Sequence, residues 1–186
     1  MWIYWFWALS TLIITKVLCI AINTLEYMKL VMDSDSLIKL TKAGAKEIVL
    51  NNIEVCIPPS VMNETTENKN KFPDAIKIHE NVNRGLLKVK NPPNNSFVKS
   101  LGIKGGEAQV LMLHDSSSAI SSDDAKFLNL LENLNIPYLT PASIIVFLLK
   151  KGAIKKGESR ELLGNLKEFI SDEEYHLAMD EVENDN

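Results

Sequence analysis

Cysteine, histidine and excess positive charge are all scarce in this chain. Only Cys19 and Cys56 occur, both in apolar runs and without CxxC or Cys/His spacing, which excludes a disulfide framework and a zinc site and points to a reducing, cytoplasmic setting. The histidines His79, His114 and His176 are far apart and share no ligand spacing, so each is expected to be a surface or internally satisfied side chain. Lysine and arginine total 20 against 24 acids, a net charge of −4. No wholesale basic surface is therefore available to grip duplex DNA, and any nucleic-acid contact must use local lysines or a metal. Glycine and proline number only 8 and 7 in 186 residues, and no repeat period appears. With 46% apolar and 24% charged residues, the chain is long enough for one globular domain with appendages.

What is present begins with a contrast. Residues 1–27, "MWIYWFWALSTLIITKVLCIAINTLEY", hold all three tryptophans and approach the roughly 20 apolar residues of a membrane span. They lack the basic start and small-residue cleavage site of a signal peptide, and Lys16 would have to snorkel. Three readings stay open: an extension without function, a membrane anchor, and an additional hydrophobic helix. Residues 28–152 are expected to form the main domain, opened by a strand at Met28, and residues 153–186 a C-terminal helical extension.

From there strands and helices alternate. "KLVMD" (29–33) reads as a buried strand, and "SDSLIKLTKAGAKEIV" (34–49) as a helix with Leu37, Leu40, Ala43 and Ile48 on one face. "IEVCIPP" reads as a second strand, and Ser60 as the N-cap of the helix that follows. "PDAIKIHENVNRG" reads as a helix, "LLKVK" as a strand and "NPPNNS" as a loop. Then come the helix "GGEAQVLMLHDS", the strand "SAISS", the helix "DDAKFLNLLENLN" and the short strand "IPYLT". "PASIIVFLLKKG", "KKGESRELLGNLKEF" and "SDEEYHLAMDEVE" predict three closing helices. Alternation of this kind implies an α/β fold: a three-layer sandwich around a central parallel sheet.

The acids fall at meaningful places on this scheme. Asp33 ends the first strand, Glu64 lies in the first turn after the second, Glu107 starts the helix behind the double glycine, and Asp123 and Asp124 follow the "SAISS" strand. In an open parallel sheet, strand carboxyl ends and helix starts share one edge, where ligands bind. Two unit charges about 6 Å apart repel by roughly 3 kcal/mol at an effective dielectric of 20, so such a cluster calls for protonation or a cation. Carboxylates without histidine or cysteine suit Mg²⁺ or Mn²⁺ better than zinc. The competing structural role is capping: Asp35 or Ser36 could cap a helix, and Glu64 and Glu107 could complement helix dipoles.

Over residues 29–152 these motifs resemble the PIN-domain ribonucleases, including the VapC-type toxins. In that family a strand ends in Asp with Leu four residues on, matched by Asp33 and Leu37. A P-P-x-V-x-x-E turn is matched by "PPSVMNE" with Glu64, a G-E-A helix start by Glu107, and a hydroxyl-x-Asp arrangement by Ser122 and Asp124, with Asp123 beside it. "IPYLTPASIIVFLLKKG" is similar to the family's last strand and helix. Asp35 departs from the pattern, standing where the family more often has Ser or Asn. Which of Asp123 and Asp124 is the direct ligand stays open, since the spacing favours Asp124 and the strand-end position Asp123.

The resemblance implies a metal-dependent endoribonuclease. Mg²⁺ or Mn²⁺ would be held by Asp33, Glu64, Glu107 and Asp123 or Asp124, with Asp35, Ser36 and Ser122 supporting the ligands. Lys39, Lys42, Lys104 and Lys126 are candidates for the RNA backbone, and single-stranded or loop RNA is the expected substrate. A small antitoxin and a homodimer are what the toxin branch implies as partners. Two alternatives are a catalytically silent PIN-like scaffold binding RNA or protein, and a haloacid-dehalogenase phosphatase, which "VMDSDSLI" and "AISSDD" also resemble. The latter would leave Glu64 and Glu107 without a role.

Overall fold

The computed structural model describes residues 29–67 and 73–185. The hydrophobic segment 1–27, with Cys19, lies outside the described residues. A five-stranded parallel sheet runs in the order β3-β2-β1-β4-β5, built from β1 (Lys29–Met32), β2 (Glu54–Ile57), β3 (Leu87–Val89), β4 (Ser118–Ser121) and β5 (Tyr138–Leu139). Leu30, Val31 and Met32 are all buried, as are all residues of β4. A strand buried on both faces must be covered on both, so the unbroken apolar run of β1 encodes the three-layer α/β/α arrangement.

The helices are α1 (Ser34–Lys42), α2 (Lys46–Asn52), α3 (Pro59–Thr66), α4 (Pro73–Asn83), α5 (Ser96–Ser100), α6 (Gly105–Leu113), α7 (Ala125–Asn133), α8 (Pro141–Lys150), α9 (Lys156–Leu166) and α10 (Asp172–Glu183), with a 3-10 turn at Lys167–Phe169. Residues 34–49 are two helices rather than one. Gly44 adopts φ 77°, a left-handed geometry that side chains resist, and its amide bonds Thr41 O at 3.2 Å, closing α1 before α2 begins. Leu37, Leu40 and Ala43 are buried as their spacing requires, and Ile48 is half-buried on α2. The N-cap of α3 is Pro58, not Ser60, because Pro59 already occupies the first helical position. Helix α5 was not anticipated from the sequence; Asn95 caps it, accepting from Phe97 N at 3.0 Å and Val98 N at 3.2 Å.

Helix α8 fixes the role of the C-terminal helices. Ile144 through Leu149 are all buried, together with Pro141 and Ala142, so the helix is apolar around its whole circumference and needs cover on every side. Helices α9 and α10 supply that cover through Leu162, Leu163, Leu166, Ala178 and Val182. Each fully buried leucine or valine contributes about 1.5–3 kcal/mol. Ion pairs hold the outer surface: Arg160 grips Glu183 with two bonds of 2.6 Å, and Lys150 pairs with Glu181. Among the described residues, no helix is long and apolar enough to cross a membrane.

Away from the sheet, Lys46 is only 3% exposed and donates to Glu47 Oε1 at 2.6 Å and to Asn81 Oδ1. Asn81 in turn donates to Glu47 Oε2 at 3.0 Å, so a closed polar network ties α2 to α4. The histidines divide. His114 meets Ser118 Oγ at 3.0 Å and burial holds its pKa below the usual value, while His176 is exposed against Tyr175. His79 departs from expectation, because its buried Nδ1 has no hydrogen-bond partner among the described residues.

Candidate metal and nucleic-acid site

At the carboxyl edge of the sheet Asp33 and Asp124 are the N-caps of α1 and α7 and Glu107 lies in the first turn of α6, whereas Glu64 sits in the second turn of α3 rather than in the first as expected. Asp33 leaves β1 with its amide bonded to Ser121 O on β4 at 3.1 Å. Its side chain caps α1 by accepting from Ser36 N at 2.8 Å, so the capping role falls on Asp33 itself rather than on Asp35 or Ser36. Capping alone does not account for Asp33, however. Burial pushes its pKa from 3.8 to about 6, the charge of Asp123 adds to the rise, and hydrogen bonding from the Ser122 side chain and from the Ser36 side chain and amide opposes it. A carboxylate kept this far out of water beside a second acid stores a demand for positive charge.

The other acids stand around this group. Glu64, on α3, accepts from Ser34 Oγ, and both its carboxylate oxygens lie 3.5 Å from where a Cβ on Gly106 would sit. The absent side chain at Gly106 thus leaves room for Glu64 at the start of α6. Glu107, in the first turn of α6, has its pKa raised by burial and by the charge of Asp124, while Lys126 opposes the rise. Asp124 caps α7 by accepting from Phe127 N at 2.8 Å, and Asp123 pairs with Lys39. Both members of the acid pair therefore face other acids: Asp123 acts on Asp33 and Asp124 on Glu107. Asp35 is exposed in the first turn of α1.

The lysines are placed unequally. Lys39 is committed to Asp123, and Lys42 lies with its Nζ 5.2 Å from the centre of the Phe169 ring. Lys104, the N-cap of α6, and Lys126, on α7, are exposed, and the charge of Lys126 acts on Glu107. One acid escaped the sequence reading. Glu174, on α10, accepts from Ala142 N at 3.1 Å, and its pKa is raised by burial and by the charge of Asp123 despite hydrogen bonding from Thr140 and Ala142.

The donor chemistry fits a hard divalent ion: every candidate is a carboxylate, Asp33 is half-buried and largely desolvated, and Ser121 Oγ is buried at this edge without a hydrogen-bond partner among the described residues. Among the described residues, no three such side chains stand together as a ready metal cage. Lys39 on Asp123, Ser34 on Glu64 and the cap of α7 on Asp124 hold the carboxylates in separate pairings.

A five-stranded parallel sandwich with candidate acids at its carboxyl edge places the chain among the α/β folds that bind ligands at that edge. The chain belongs to the PIN-domain family, whose family model matches residues 29–184, through the closing helices. PIN domains are in general nucleases, which sets the coarse activity and sets aside the dehalogenase alternative. Comparison with curated proteins returns no match, and comparison with solved structures returns none either.

Proposed function

We propose that this chain is a divalent-metal-dependent endoribonuclease acting on single-stranded or loop RNA. The observation that carries the reading is Asp33: a half-buried carboxyl at the end of the central strand, its pKa raised to about 6 by desolvation, with the charge of Asp123, two residues past the neighbouring strand, adding to the rise. A group so placed weakens the fold unless a cation uses it. Asp33, Glu64, Glu107 and Asp123 or Asp124 would hold Mg²⁺ or Mn²⁺. When bound, such an ion lowers the pKa of a water and offsets charge on a phosphodiester.

The chain's own groups do the rest. Ser122 and the Ser36 amide orient the Asp33 carboxylate, and Ser34 orients Glu64. Exposed Lys104 and Lys126 are suited to backbone phosphates, whereas Lys39 and Lys42 are engaged within the protein. A toxin role, with a small antitoxin partner and a homodimer, extends this reading on the strength of the resemblance alone.

The test is cleavage of a labelled single-stranded RNA in Mn²⁺ and in EDTA. The parent should cleave only with metal, and Asp33→Asn and Glu107→Gln should each abolish the reaction while remaining folded by circular dichroism. Equal cleavage by both variants would remove the assignment.

A further inference from the structure

One long stretch of this acidic chain contains no acid. From residue 81 to residue 106 there are five cations, Arg84, Lys88, Lys90, Lys99 and Lys104, while all 24 acids share the rest of the chain with the other 15 of its 20 basic residues. Lys88 and Lys90 divide a single partner, Glu54, at 2.9 and 3.3 Å. Lys99 and Lys104 are exposed and have no ionic partner among the described residues.

The topology brings this stretch to the acids. Val89 stands level with Ile57, and Cys56 with Val31, so the chain leaves β3 at the same carboxyl edge where Asp33 follows β1, two strand spacings or about 10 Å away. It returns through α5, which packs against α6, the helix that carries Glu107. Between the two ends stands an aromatic ring. Phe97 is 55% exposed, the most of any large apolar side chain among the described residues, while its neighbour Val98 is buried in the core. The Phe97 amide donates to Asn95 Oδ1 at 3.0 Å and its carbonyl accepts from Ser100 Oγ at 2.7 Å, so the backbone beneath the ring is held on both sides.

Resting on the nuclease reading above, we propose that residues 84–104 form a strip that binds single-stranded RNA, with Phe97 stacking on a base and Lys99 and Lys104 on its phosphates, and that this strip leads the strand to the acid edge. Charge selects the class of ligand: a basic, unpaired stretch on a chain of net charge −4 attracts a polyanion to this face and repels it from the others. The ring selects an unpaired strand, because in a duplex the base faces are already stacked on one another. Every base offers such a face, so the strip holds RNA without reading its sequence.

Fluorescence anisotropy of a labelled oligouridylate titrated with the full chain in EDTA, where no metal supports cleavage, tests this. Phe97→Ala should raise the dissociation constant about tenfold without altering its salt dependence, and Phe97→Trp should bind as tightly as the parent. Lys99→Gln combined with Lys104→Gln should lower the slope of log Kd against log salt by about 1.4, two phosphates at about 0.7 each for a single strand. Melting temperatures should stay near the parent's, because all three side chains are exposed. Duplex RNA of the same length should bind more weakly than the oligouridylate, and Phe97→Ala should leave that binding unchanged. Parent-like oligouridylate affinity in Phe97→Ala and in the double lysine variant overturns the proposal. If that affinity is unchanged while Phe97→Ala splits a dimer of the parent in sedimentation, the face belongs to a second copy and the proposal falls as well. Binding lost in the variants with no Mn²⁺-dependent cleavage by the parent upholds the strip and overturns the nuclease reading; parent cleavage with binding unaffected by the variants does the reverse.

Discussion

Replacing Asp33 by asparagine should stabilise the metal-free protein, and the gain should depend on pH. Folding raises the Asp33 pKa from 3.8 to about 6, so the folded state holds its proton to higher pH than the unfolded chain does. Stability is therefore lost as pH climbs from about 4 to about 6, and the full cost, roughly 3 kcal/mol, is present at neutral pH. Asparagine removes the charge yet remains a good N-cap, so the bond from Ser36 N survives. Loss of a negative charge at the start of α1 returns about 0.3–1 kcal/mol, leaving a net gain of about 2 kcal/mol. For a chain of this size that corresponds to a melting temperature about 4–8 °C higher. Thermal melts of parent and variant in EDTA at pH 4.5, 6 and 7.5 should show curves that nearly coincide at the acid end and separate toward neutrality. A gain of equal size at every pH, or a loss at pH 7.5, would refute the reasoning, because either outcome means that Asp33 is not ionised against the grain of the fold.

Two further perturbations probe other parts of the structure. Gly106→Val places methyl groups where the Glu64 oxygens now lie, 3.5 Å from the Cβ position, so metal-dependent cleavage should fall by about tenfold or more with little change in melting temperature; unaltered cleavage would detach Glu64 from the site. Lys46→Ala leaves Asn81 and Glu47 without their buried partner and should destabilise the protein by about 2–4 kcal/mol in urea unfolding, with no direct effect on cleavage per folded molecule.

The parallel sandwich was legible because its signals are local and mutually consistent. The apolar run at 30–32, the proline pair at 58–59 and the all-apolar face of 141–149 each specify one element without reference to the rest of the chain. The break at Gly44 was missed because the apolar spacing on its two sides is nearly in phase, so only backbone geometry separates the helices. Helix α5 is short and polar, and its cap at Asn95 looks like any loop asparagine. At the site, the strand-end positions of Asp33 and Asp123 were readable, since parallel topology alone assigns them to one edge. The pairings were not. Lys39 reaches Asp123 across 84 positions and Glu174 reaches Ala142 across 32, contacts that only tertiary packing creates. The spacing Ser171-x-x-Glu174 marked a helix start, but its second partner lies on α8, which local sequence does not encode.

Anomalous scattering from crystals soaked in Mn²⁺ bears most directly on the nuclease assignment. A peak should appear at the carboxyl edge of β1 and β4, within coordination distance of an Asp33 oxygen, about 2.0–2.3 Å, with at least two more carboxylates from Glu64, Glu107, Asp123 and Asp124 turned toward it. Crystals that hold Mn²⁺ only elsewhere, with Lys39 still seated on Asp123 and Asp33 bare, would contradict it.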